Sequence, residues 1–88
     1  MTWTIEVSRD ADRFIQAQGL QDETKRLVHG FLRKLLGESV NIDVKKLKGE
    51  WGDYLRIRKG KLRIIFSMDP ARRSVYVERV DFRGDVYK

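Results

Sequence analysis

The sequence predicts an α+β domain of order βααβββ, with two N-terminal helices packed on one face of a mostly antiparallel, four-stranded twisted sheet. Polar and apolar residues alternate at residues 2–7 and in three segments after residue 53, the period of half-buried strands. Between them, apolar residues recur at the three- and four-residue spacing of amphipathic helices. At 88 residues, with no repeat or low-complexity stretch, the chain reads as a single domain over residues 1–88.

The first strand is Thr2-Trp3-Thr4-Ile5-Glu6-Val7, with Trp3, Ile5 and Val7 inward. Ser8 can cap the first helix, because its hydroxyl can accept from a free first-turn amide. Ala11, Phe14 and Ile15 then share a face up to Gly19, which ends the helix. Asp22 is expected to cap a second helix whose stripe is Leu27, Val28, Phe31, Leu32, Leu35 and Leu36, with Gly37 as its stop. Gly30 inside that helix costs about 1 kcal/mol relative to alanine, which close packing of the two helices would explain. Residues 38–52 hold Lys45, Lys46 and Lys48 around Leu47, with Gly49 and Gly52, and are expected to form a basic loop.

Three strands follow, at about residues 54–59, 61–68 and 74–82. Gly60 turns the first hairpin and Asp69-Pro70-Ala71-Arg72 the second, Pro70 suiting position i+1 of a type I turn. Leu55, Ile57, Leu62, Ile64, Phe66 and Met68 are expected to face the helices, with Arg56, Arg58, Lys61 and Arg63 on the opposite surface. In the last strand Val75 and Val77 fall on one face and Tyr76 and Val80 on the other, so it is expected to be central and buried on both sides.

Nineteen Lys and Arg residues against 13 Asp and Glu give a net charge of +6, which favours an anionic partner through counterion release and steering. The absence of cysteine excludes a disulfide framework and a thiolate metal site. No apolar run reaches the roughly 18 residues of a membrane span, and the chain starts as a strand instead of a signal peptide. A soluble, cytoplasmic protein with no membrane partner is therefore expected. His29, the only histidine, has no Asp, Glu or second His at a helical ligand spacing, so a structural or surface role is expected for it; no metal and no cofactor are expected. From spacing alone, Arg56, Arg58 and Arg63 fit the solvated face of a sheet and Tyr87 a chain end. Trp3, Trp51, Phe14, Phe31 and Phe66 read as core. Glu78 has no partner carboxylate in a recognisable acid–base arrangement.

Lys46-Leu47-Lys48-Gly49, Tyr54-Leu55-Arg56-Ile57-Arg58, Leu62-Arg63-Ile64-Ile65-Phe66 and Arg83-Gly84-Asp85-Val86-Tyr87, in this order, resemble the RelE/ParE toxin superfamily over nearly the whole chain. The terminal Arg and Tyr are most similar to RelE-like mRNA interferase toxins. The resemblance implies the toxin of a type II toxin–antitoxin system, a metal-independent endoribonuclease that cuts mRNA in the ribosomal A site by 2′-hydroxyl attack on the adjacent phosphate. It implies catalytic roles for Arg56, Arg58, Arg63, Arg83 and Tyr87, with Lys45, Lys46, Lys48 and Lys61 as RNA-phosphate contacts. The implied partners are a cognate antitoxin in a hetero-oligomer, the ribosome and mRNA. Guanidinium donors suit the charge that builds on a pentacoordinate phosphorane, and a tyrosine can stack on a splayed base.

Two positions depart from the family pattern. Where related toxins use lysines as proton acceptor, this chain has Arg56 and Arg58, and arginine, with a pKa above about 12, is a poor base. Residue 82, often histidine, is phenylalanine. The proton acceptor is left open between Lys61, a lysine of residues 45–48, a ribosomal RNA group, or none in a weakened toxin that binds antitoxin only. A ParE-like inhibitor of DNA gyrase is the alternative activity.

Overall fold

The computed structural model describes residues 2–49 and 52–82; Trp51, Arg83 and Tyr87 lie outside them. The elements are β1 (Thr4–Val7), α1 (Arg9–Gln18), α2 (Gln21–Leu35), β2 (Asp43–Lys46), β3 (Leu55–Lys59), β4 (Leu62–Asp69) and β5 (Ser74–Phe82). The strands form one five-stranded sheet in the order β1-β5-β4-β3-β2. β1 runs parallel to β5, and the other neighbours are antiparallel.

The fifth strand corrects the expectation of four. Asp43–Lys46, read as part of a basic loop, is an edge strand paired with β3. Val44 anchors it, opposite Ile57 in register and packed on the core. With one apolar residue in four, this strand shows too little alternation to stand out from a loop.

Ser8 caps α1 as expected, accepting from the Ala11 amide at 3.1 Å, while its hydroxyl donates to the Glu78 carbonyl at 2.7 Å. Gly19 ends the helix at φ 65°, and the next amide, Leu20, bonds back to the Ile15 carbonyl at 2.9 Å. Leu20 thus closes α1 and opens α2 at once. The second helix starts at Gln21 with Asp22 in its first turn, not as its cap. There Asp22 and Glu23 still meet the positive end of the helix dipole. Leu27, Val28, Phe31 and Leu32 are buried as expected, whereas Leu35 and Leu36 are 47% and 67% exposed, because the helix stops before the stripe can continue. Gly30 faces Val40 and Ile42, not α1, since the chain leaving α2 folds back across it.

The two helices cover one face of the sheet, over Ile57, Ile64, Phe66, Val75 and Val77. Phe31 meets Phe66 edge-on with ring centroids 4.9 Å apart, and Phe14 meets Phe82 in the same way at 5.1 Å. β5 lies between β1 and β4, but it is not buried on both sides. Phe66 pairs with Val77 and Ile65 with Arg79, so Glu78 is the extra residue of a β-bulge. The bulge returns Val80 and Phe82 to the helix side and leaves Tyr76, before it, 38% exposed.

A Cβ at residue 30 would lie 3.5 and 3.6 Å from Ile42 and Val40, ordinary contact distances. Gly30→Ala is therefore expected to raise the unfolding free energy by about 1 kcal/mol, seen as a higher denaturant midpoint with an unchanged slope. A lower midpoint would mean that the loop over α2 has no room for a methyl group.

Candidate functional site

On the face of the sheet away from the helices, strand pairing sets side chains in rows that cross β2, β3, β4 and β5. One row reads Asp43, Arg58, Arg63, Asp81, and the next reads Lys45, Arg56, Ile65, Arg79. Three of the arginines expected from sequence, Arg56, Arg58 and Arg63, therefore share one surface. Arg79 joins them, although the sequence reading did not include it. Ile65 is buried on this open face, apart from the core under the helices, and floors the second row.

Two aspartates hold the arginines. Asp81 accepts from Arg63 Nε and Nη2, both at 2.9 Å, and lies 3.1 Å from Arg79 Nε. Asp43 bridges Arg56 at 3.3 Å and Arg58 at 3.2 Å. The side chains of Arg63 and Asp81 are only 24% and 15% exposed, whereas Asp43 is 47% exposed. A sheltered, two-pronged pair of this kind contributes about 1.5–3 kcal/mol, while contacts to a solvated carboxylate such as Asp43 contribute about 0–1 kcal/mol. Arg63 is thus firmly oriented, and Arg56 and Arg58 can exchange their carboxylate for another anion at little cost. Arg56 Nε is buried with no hydrogen-bond partner among the described residues. Such an orphan donor costs about 1–3 kcal/mol and is tolerated where position matters more than stability.

The remaining expected residues divide between surfaces. Lys45 stands opposite Arg56, Lys46 stands opposite Leu55, and Lys48 follows β2. With Leu47 and Arg56, these lysines line a cleft of about 280 Å³. Lys61, at the hairpin tip, lines a separate cleft with Leu20, Glu23 and Lys59. Phe82, which the resemblance sets at a position often held by histidine, pairs with buried Leu62 and packs on Phe14, so it faces the helices and not the arginines. Arg83 and Tyr87 lie outside the described residues. Among the described residues, no group of three or more His, Cys, Asp or Glu is placed to hold a metal ion, and no helix is long and apolar enough to cross a membrane.

One contact on this face escaped the sequence reading. The Tyr54 hydroxyl donates to Glu78 Oε1 at 3.2 Å, linking the residue before β3 to the bulge of β5. Burial, then the negative charge of Glu78 and its hydrogen bond, push the Tyr54 phenol above its ordinary value of 10.0. Tyr54 is therefore a neutral donor at physiological pH. Because the folded state holds this proton more tightly than the unfolded chain, stability is complete below the ordinary tyrosine value near 10. It declines as pH rises past that value towards the folded one. Alkaline absorbance titration is expected to show a late-titrating phenol that disappears in Tyr54→Phe and moves back towards the ordinary value in Glu78→Gln. A titration unchanged by both substitutions would contradict this assignment.

No family model matches the sequence, and no curated protein matches it significantly. Solved structures do match along nearly the full length. The archaeal RelE–RelB complex from Pyrococcus horikoshii OT3 matches with a TM-score of 0.60 and 27% identity, covering 96% of this chain and 98% of that one. The RelBE2 toxin–antitoxin complex from Mycobacterium tuberculosis matches at 0.69 and 20% identity, covering 94% and 100%. A metal-bound toxin from Helicobacter pylori matches at 0.70 and 16% identity, covering 97% and 99%. The architecture is shared with these neighbours, and the likeness to the archaeal RelE supports a RelE-like toxin superfamily.

Proposed function

We propose that this protein is the toxin of a type II toxin–antitoxin pair and acts as a ribosome-dependent endoribonuclease that cuts mRNA in the A site. The observation that carries the reading is the register that sets Arg56, Arg58 and Arg63 on one helix-free face, with Arg79 beside them. In-line attack of a 2′-oxygen on the adjacent phosphorus concentrates negative charge on the non-bridging oxygens. Guanidinium donors already in place stabilise that charge without reorganising during the reaction. Arg63, fixed by Asp81, supplies such a donor. Arg56 and Arg58 exchange the solvated Asp43 for phosphate, while Lys45, Lys46 and Lys48 contact the flanking backbone and Lys61 a more distant phosphate. Arg83 and Tyr87 are assigned by motif to the same clamp and to base stacking. This arrangement needs no metal, because the guanidinium groups supply the positive charge.

Two of the similar structures are toxin–antitoxin complexes, and a cognate antitoxin is proposed here too, in a hetero-oligomer within the cytoplasm. An acidic, amphipathic antitoxin segment suits both the arginine rows and the exposed Leu35, Leu36 and Tyr76.

Inducible expression followed by mapping of mRNA 5′ ends tests the activity. Cuts in register with the reading frame are expected, reduced about 10²–10³-fold in Arg63→Ala and in Arg83→Ala, and sharply reduced in Tyr87→Ala. Undiminished cutting in Arg63→Ala and Arg83→Ala would reject the clamp. A DNA-damage response with intact transcripts would favour gyrase inhibition instead.

A further inference from the structure

The proposed cleavage needs a group that removes the 2′-hydroxyl proton, and the arginines cannot serve. We propose that the Glu78 carboxylate is that proton acceptor, an inference that rests on the endoribonuclease reading. Asp43 and Asp81 are each committed to two arginines. Glu6, on the same face, stands on edge strand β1 opposite Tyr76, outside the arginine rows. Glu78 immediately precedes Arg79 in the second row, and among the described residues its carboxylate takes only the Tyr54 hydroxyl. Tyr54 keeps its proton, so it positions the carboxylate and leaves it the acceptor of the pair. Other charged groups near Glu78 are Asp10 from α1 and Arg79 and Asp81 from β5, which line with it a cleft of about 450 Å³ between α1 and β5.

The backbone supports the assignment, because a useful base must be held still. Glu78 is the unopposed residue of the bulge, and its carbonyl is pinned by the Ser8 hydroxyl at 2.7 Å. In the step itself, the carboxylate takes the 2′-hydroxyl proton as the O2′–phosphorus bond forms and the phosphorus–O5′ bond breaks. The 5′-oxygen leaves with that electron pair and takes a proton from water, giving a 2′,3′-cyclic phosphate and a 5′-hydroxyl. Glu78 then returns its proton to solvent.

The test is single-turnover cleavage of a defined mRNA on programmed ribosomes by the purified toxin. Glu78→Gln preserves shape and the Tyr54 contact, and it is expected to cut at least about 100-fold more slowly while binding ribosomes normally. Glu78→Ala is expected to be as slow but to recover as sodium formate is added, since formate can occupy the vacated position. Tyr54→Phe is expected to lose no more than about tenfold and to gain nothing from formate. Glu78→Gln cutting within about threefold of wild type would overturn the proposal. So would a slow, folded Glu78→Ala that formate does not restore, and Glu78→Gln alone decides if the alanine variant fails to fold. Should the wild type itself leave ribosome-bound mRNA intact, the endoribonuclease reading falls first and this inference with it.

Discussion

Arg58 and Arg63 stand directly opposite one another on adjacent strands, a pairing that repels, and the sheet holds it because Asp43 and Asp81 close the row at either end. The charges alternate outward from a cationic centre. The same register brings Ile57, Ile64 and Val80 together under the helices, so the polar and apolar faces cannot be set independently. A slip of one residue would send the arginines into the core and Ile57 into water, a loss far larger than any single ion pair. Core packing therefore positions the guanidinium groups, and the aspartates make their crowding tolerable.

The bulge at Glu78 is the second constraint on that row. Before it, Val75 and Val77 face the helices; after it, Val80 and Phe82 do. Without the extra residue, Arg79 and Asp81 would share the parity of Val75 and Val77 and point into the core. The anchor of Arg63 thus exists only because β5 is irregular at this point. Ser8 links that irregularity to α1, since its hydroxyl oxygen accepts from the Ala11 amide while its hydrogen goes to the Glu78 carbonyl.

These relations explain which parts of the molecule are legible in the sequence. Ser8, Gly19 and the apolar spacing of α1 and α2 announce themselves, because capping and helical periodicity are local. Arg56, Arg58 and Arg63 fall on one face by simple alternation within two regular strands. Asp43–Lys46 does not read as a strand, because Val44 is its single apolar residue and its pairing is set by β3. The break between Val77 and Val80 was visible, but it has two physical readings, burial on both sides or a bulge, and only the pairing with β4 separates them. Asp43, Asp81 and the Tyr54–Glu78 contact were hidden for the same reason: cross-strand partners lie 13 to 24 positions apart and carry no local pattern.

The unequal strength of the two anchors has a consequence for how an anion is received. Asp81 occupies the edge of the Arg63 guanidinium formed by Nε and Nη2 and so fixes that side chain in place. Arg56 and Arg58 present no such fixed edge, because the single solvated Asp43 is shared between them at 3.3 and 3.2 Å. A phosphate that displaces Asp43 gains two donors for the loss of weak contacts, whereas one that displaced Asp81 would strand a sheltered carboxylate at a cost of several kcal/mol. Binding is therefore directed towards the β2–β3 side of the row, with Arg63 as a fixed wall. The same asymmetry holds for a carboxylate from a protein partner, so under the proposed function RNA and an acidic antitoxin segment compete for the pair of arginines that Asp43 holds loosely.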